Sequence, residues 1–191
     1  LYGSLIGVVY GKKNLLEKMH PFFYGGNMIH TVTIAESTWA DLPEKFEAGT
    51  INGPGIIASA EAIKYIESIG REQHTAIEEK LTKYALKELR KISQVKIIGH
   101  TKMKDPSNQM NSFGPIISFT VDGLHPHDIA TICNKYHVCI RAGHHCCQPF
   151  MDKLGIPATA RVSIAFYNRK QDIDALITAI KDAIGIIVKP G

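Results

Sequence analysis

Residues 141–149 read Arg-Ala-Gly-His-His-Cys-Cys-Gln-Pro. Two imidazoles, His144 and His145, stand directly before two thiols, Cys146 and Cys147. A guanidinium, Arg141, lies just upstream across Gly143, a residue that lets the backbone turn sharply. A thiol acts as a nucleophile only as thiolate, and nearby cations or a turn rich in backbone N–H groups favour that form. The apolar run Val138-Cys139-Ile140 predicts a buried strand, so the thiols are expected on a loop leaving a strand, a common seat for catalytic groups. Three chemistries stay open on the residues alone. One is a nucleophilic loop. Another is a buried strand end with incidental cysteines, since a free Cys often serves as a small core residue. The third is a metal site, against which stands the crowding of the ligands: four adjacent residues cannot all face one ion, and structural zinc sites space theirs.

The elements that must position this stretch can be read in chain order. Residues 6–10 form a short apolar strand by pattern, Leu15 to Met19 a helical turn, and Gly25-Gly26 a loop. A long loop is expected from there to Phe46-Glu-Ala-Gly-Thr50. Thr50-Ile-Asn-Gly-Pro54 precedes a helix with Ile56, Ala60 and Ile63 on one face, ended by Gly70. Such a start either caps the helix or presents free N–H groups to a phosphate. A second helix spans about 72–92, with Ile77, Leu81, Ala85 and Leu89 recurring every fourth residue. Strands are expected at 95–98 and 115–121, with an exposed loop over 100–114 between them. His125-Pro126-His127-Asp128 opens another helix, its proline in the first turn and Ile129, Ile132 and Cys133 on its apolar stripe. Cys133 and Cys139 are expected in the core.

After the thiols come a short helix over 150–154, a strand over 160–166 carrying Arg161, and a final helix. Asn168 and Gln171 suggest a capping box for that helix, and Ile173, Leu176, Ile177, Ile180 and Ile184 give it one apolar face. From residue 94 onward this order predicts a small α+β domain with helices on one face of a mainly antiparallel sheet. Residues 1–50 do not belong to that unit by pattern, and 51–93 are helices linking the two.

The 191 residues carry a net charge of +4, with 45% hydrophobic and 21% charged residues, the balance of a soluble globular protein. No basic cluster with interleaved aromatics argues for nucleic acid, and no apolar run is long enough to cross a bilayer. Four cysteines, two of them adjacent, do not resemble a secreted disulfide framework, so a reducing cytoplasm is expected. The chain opens Leu1-Tyr2-Gly3 without Met, inside what reads as a turn, and is expected to be a piece of a longer protein.

Several runs together resemble the Suf-type, or group II, cysteine desulfurases. They are Arg141 to Cys146 with Gln-Pro following, Ala160-Arg161-Val-Ser-Ile-Ala-Phe-Tyr-Asn168, Phe46 to Thr50, Gly25-Gly26-Asn27-Met28-Ile29, and Ser37-Thr-Trp-Ala-Asp41. The short loop before Cys146 is similar to group II rather than group I members. The resemblance implies the C-terminal part of an α/β fold type I pyridoxal-phosphate transferase working as a homodimer. It implies that L-cysteine is converted to alanine, with the sulfur held as a persulfide on Cys146 and passed to an acceptor protein of the Suf system for iron–sulfur cluster assembly. By the same resemblance Arg161 holds the substrate carboxylate, and Arg141 lies near the substrate. Thr50, Gly25 and Gly26 reach the cofactor phosphate of the neighbouring subunit. His127 helps receive a zinc-containing acceptor, and His144 and His145 support the thiol.

There are departures. Cys147 stands where the family usually has Ala, and Thr50-Ile-Asn replaces the commoner Thr-Pro-Asn. The family's cofactor-bearing lysine precedes the motif that begins here at Leu1, so this chain alone is expected neither to hold pyridoxal phosphate nor to be active. A selenocysteine lyase of the same fold, or a non-catalytic sulfur-relay or metal-binding module, are the alternatives.

Overall fold

The computed structural model describes residues 5–99 and 114–187. The expected loop over 100–114 lies almost wholly outside them. The chain divides into two compact units, Leu1–Ile69 and Gly70–Gly191. That break falls between the two helices expected to link the domains.

The first unit carries a short helix α1 (Lys13–Leu16), a hairpin of β1 (Ile29–Val32) and β2 (Ser37–Trp39), a 3-10 turn (Glu44–Phe46) and helix α2 (Gly53–Ile69). The strand expected over 6–10 is not formed, and Val8 and Val9 are exposed. A lone strand leaves its backbone groups without a ladder partner, so an apolar run does not suffice. The hairpin lies within the stretch expected as a long loop. Its register breaks between Ile29 and Thr31, which blurs the alternation by which a strand is recognised. Lys45 is buried, an uncommon place for a lysine. Its Nζ donates to the carbonyls of Glu17 at 2.8 Å and Leu16 at 3.3 Å, oxygens that the end of α1 leaves free. At the start of α2 the Asn52 side chain accepts from the Gly55 N–H at 3.0 Å, so capping is realised.

The second unit begins with α3 (Arg71–Leu89) and β3 (Val95–Ile98). It continues with β4 (Ile116–Val121), α4 (Pro126–Lys135), β5 (Arg141–Gly143), α5 (Gln148–Leu154), β6 (Thr159–Ser163) and α6 (Lys170–Ile187). The sheet order is β3-β4-β6-β5, and every pairing is antiparallel. Alternation turns Ile117, Phe119 and Val121 of β4, with Ala160 and Val162 of β6, toward α3, α4 and α6. Leu86, Leu89, Ile129, Cys133, Leu176 and Ile180 complete that core. The expected α+β unit is thus observed. Phe119 has no exposed surface. Phe119→Ala should cost about 3–5 kcal/mol, read as a lowered urea midpoint for the second unit.

Three local expectations are corrected. Val138 to Ile140 is not a strand; pairing starts at Arg141, and Cys139 is exposed rather than in the core. Val138 and Ile140 still pack against the core, so the apolar pattern reported burial without reporting a partner strand. The strand expected over 160–166 ends at Ser163. The capping pair expected of Asn168 with Gln171 is not formed at α6; Asp172 takes the place of Gln171, and the Asn168 Nδ2 donates to its carboxylate at 3.2 Å. The Asp172 carboxylate accepts from the Arg169 N–H at 3.0 Å, while Asn168 binds the Ala165 N–H at 2.8 Å. The bond from Arg169, then that from Asn168, holds the Asp172 carboxyl below its usual range.

Candidate active site

The register of the sheet assembles the site. Arg141 of β5 lies directly opposite Arg161 of β6, and Arg161 lies opposite Ser118 of β4. Directly paired residues share a face, so this row lies on the sheet face away from the three helices. Like charges placed opposite one another are destabilising. Among the described residues no carboxylate forms an ion pair with either guanidinium, and the Arg161 Nε is buried without a hydrogen-bond partner. Two unneutralised guanidiniums side by side, one with a donor unused, make a receptor for an anion with planar acceptor geometry.

The thiols leave β5 through a tight turn. The Cys147 N–H donates to the His144 carbonyl at 3.0 Å, closing His144–Cys147 as a β-turn. Its two central residues have positive φ, 55° at His145 and 59° at Cys146. That is the geometry of a type I′ turn, normally built from Gly or Asn. For other side chains it costs about 1–2 kcal/mol per residue. The turn presents Cys146, which is exposed, toward β5, and the Arg141 Nη2 donates to its Sγ at 3.7 Å. A guanidinium only donates, so sulfur is the acceptor, a role in which thiolate surpasses thiol.

His145 folds back on β6. Its Nε2 lies 2.9 Å from the Thr159 Oγ1 and 3.2 Å from the Thr159 carbonyl. Burial, and then the neighbouring Arg161 charge, lower its pKa, against the Thr159 backbone bond that raises it; Arg141 and His144 lower it further. Cys133 is the chemical opposite of Cys146. Burial in the core raises its thiol to about 11.

Arg141, Cys146, His145 and Arg161 are therefore one cluster. His144 supplies the turn's carbonyl and is exposed. His127 lies elsewhere, in the first turn of α4, its ring stacked on His125, whose Nδ1 caps the helix at 3.3 Å. Both β4 and β5 run antiparallel to β6, so the thiol turn after β5 and the start of α4 after β4 leave the sheet at the same end of its strands. Thr159 was missed from the sequence. Its signal is its place two residues before Arg161 on a strand, which sets both on one face.

In the first unit, Gly26, Asn27, Gly49, Thr50 and Ile51 line a cavity of about 410 Å³. The Gly49 N–H donates to the Gly26 carbonyl at 2.8 Å, joining the two expected cofactor loops. A Cβ at Gly25 would lie 3.5 Å from the Gly49 nitrogen and 3.6 Å from the Ala48 Cβ, ordinary contact distances. A Cβ at Gly26 would meet nothing within 4 Å, so the packing of this chain does not demand glycine there. A cavity lined by two glycines and a threonine, with no lining carboxylate, suits an anion such as a phosphate. Among the described residues no group of three His, Cys, Asp or Glu side chains is placed to hold a metal ion. No helix among them is long and apolar enough to cross a membrane.

The class-V aminotransferase family model matches residues 3–176, and the chain belongs to that family. It is 46% identical over 178 residues to a probable cysteine desulfurase of Halobacterium salinarum, covering 93% of this chain and 41% of that protein. A probable cysteine desulfurase of Staphylococcus aureus is 44% identical over 176 residues, covering 92% and 41%. Among solved structures, the Escherichia coli cysteine desulfurase CsdA in its S-sulfonic acid form has a TM-score of 0.80 at 31% identity, covering 93% of this chain and 42% of its own. The apo cysteine desulfurase of Thermococcus onnurineus has a TM-score of 0.79 at 32% identity, covering 94% and 42%. The fold is that of the matching part of these proteins, the part of the α/β fold type I transferase fold that the resemblance implies. The chain spans about 41% of the length of the curated relatives it matches.

Proposed function

We propose that this chain is the C-terminal part of a Suf-type cysteine desulfurase acting in the cytoplasm. One observation carries the reading: paired, unneutralised arginines on an open sheet face, with Cys146 held 3.7 Å from one of them. An α-amino acid offers a carboxylate for Arg161, with Arg141 beside it. Its sulfur then comes within reach of the Cys146 thiolate. Cys146 attacks that sulfur, an S–S bond forms, and the substrate's C–S bond breaks. Its carbon takes a proton and leaves as alanine. Pyridoxal phosphate, when bound, supplies the electron sink that makes this carbon–sulfur bond breakable.

Gly25, Gly26 and Thr50 are the residues of this chain that would hold the phosphate, across a homodimer interface. His144 and His145 support the thiol turn. Buried Lys45 does not take the cofactor-bearing role by environment, since its Nζ is held by two carbonyls. The test compares this chain with the longer protein, each given pyridoxal phosphate and L-cysteine. The longer protein should release alanine and carry an equal amount of persulfide sulfur on Cys146, and this chain alone should do neither. Turnover by the chain alone, or persulfide on another residue of the longer protein, would sink the reading.

The sulfur next goes to an acceptor protein of the Suf system. His127 follows β4 at the same end of the strands from which the thiol turn leaves β5, and imidazole suits zinc. His127→Ala should abolish stimulation of turnover by a zinc-containing acceptor while basal turnover persists. Equal stimulation of variant and wild type removes His127 from the acceptor site.

A further inference from the structure

The turn that carries Cys146 has consecutive non-glycine residues in the left-handed region, and such geometry persists only where its surroundings over-determine it. Among the described residues, a single side-chain-to-residue contact ties the central residues of this turn to a strand of the sheet other than β5. It runs from His145 Nε2 to both oxygens of Thr159, a residue with no exposed surface. We propose that His145 is a positioning residue for Cys146: its imidazole, held by Thr159, fixes the left-handed turn that brings the thiol to the Arg141 guanidinium.

The tautomer follows from the partners. A carbonyl only accepts, so Nε2 carries the proton and donates toward the Thr159 oxygens. The Nδ1 then holds a lone pair, and it is buried without a partner. Arg161 from β6, Arg141 from β5 and His144 on the turn itself are the charged or titratable groups that act on this ring, and the two arginines disfavour a third positive charge. A neutral imidazole is therefore a strut that adds no charge beside the anion receptor. A lysine or arginine making the same reach to Thr159 would add one. Thr159 also pairs with Gly143, the last residue of β5, so the same residue meets the turn through main chain and side chain.

This inference rests on Cys146 being the reactive thiol of the proposed function. Its test needs neither cofactor nor turnover. The full chain is treated with iodoacetamide at neutral pH, and alkylation of Cys146 and Cys147 is followed separately by tandem mass spectrometry. Thr159→Val keeps the shape and removes the hydroxyl, and His145→Gln removes the ring. Each is expected to slow Cys146 about fivefold, the worth of one hydrogen bond, because the thiol leaves the guanidinium. Cys147 should keep its rate, and Thr159→Ser should restore that of Cys146. Unchanged or faster alkylation of Cys146 would overturn the proposal, as would a Thr159→Ser chain as slow as Thr159→Val. If Thr159→Val does not fold by circular dichroism, His145→Gln decides alone. Failure here leaves the desulfurase reading standing, and an inactive longer protein with slowed variants leaves the positioning role standing.

Discussion

Cys146→Ser in the longer protein is expected to abolish alanine and persulfide formation, while Cys147→Ser retains both. The two thiols are adjacent and both are exposed, so accessibility does not separate them. Geometry does. Cys146 occupies the tip of the left-handed turn and accepts from Arg141, whereas Cys147 closes the turn with its N–H and starts α5. A serine hydroxyl is almost fully protonated at neutral pH and cannot take up sulfur as a persulfide. Loss of an obligate nucleophile should lower turnover by roughly a thousandfold or more. Amino-acid analysis for alanine and intact-mass measurement for the bound sulfur check it together. Retained activity in Cys146→Ser, with loss in Cys147→Ser, reverses the assignment.

Arg161→Met should lower kcat/KM for L-cysteine far more than it lowers stability. Removing one partner of a desolvated, hydrogen-bonded charge pair costs about 2–5 kcal/mol, roughly thirtyfold to a few thousandfold in kcat/KM. Arg161→Lys should recover little, since an ammonium cannot replace a planar fork. The sign on stability is the informative part. Methionine keeps the apolar stem and removes one of two charges paired across β5 and β6, so the thermal midpoint should hold or rise. A structural arginine would show the reverse, with the midpoint falling and KM unchanged.

Legibility followed the kind of signal each element gives. Helix α6 was readable because five apolar residues repeat at helical spacing, and β3 and β4 because short apolar runs are bounded by polar ones. The arginines were readable as residues through their family motif. Their facing one another was not, because pairing of β5 with β6 is a register, a property of two strands jointly. Positive φ at His145 and Cys146 was hidden for a related reason. Neither residue is a turn former, and the contact that stabilises the turn comes from Thr159, fourteen residues beyond His145. Lys45 is buried because two carbonyls of a distant short helix receive it, and no local pattern announces that. The run at residues 6–10 erred in the other direction. Its composition asks for a sheet neighbour, and none is supplied within the described residues.

The core of the second unit has a consequence for how the thiol can be handled in the laboratory. Every residue in it, half-buried neighbours included, lies between Ile77 and Ile184. Its compactness is therefore a local property of that stretch. A domain excised near Gly70 should remain a cooperative folding unit that still carries Cys146 in its turn. Sulfur could then be installed on it by a small-molecule donor and its lifetime timed by spectroscopy, with the carrier separated from the machinery that normally loads it.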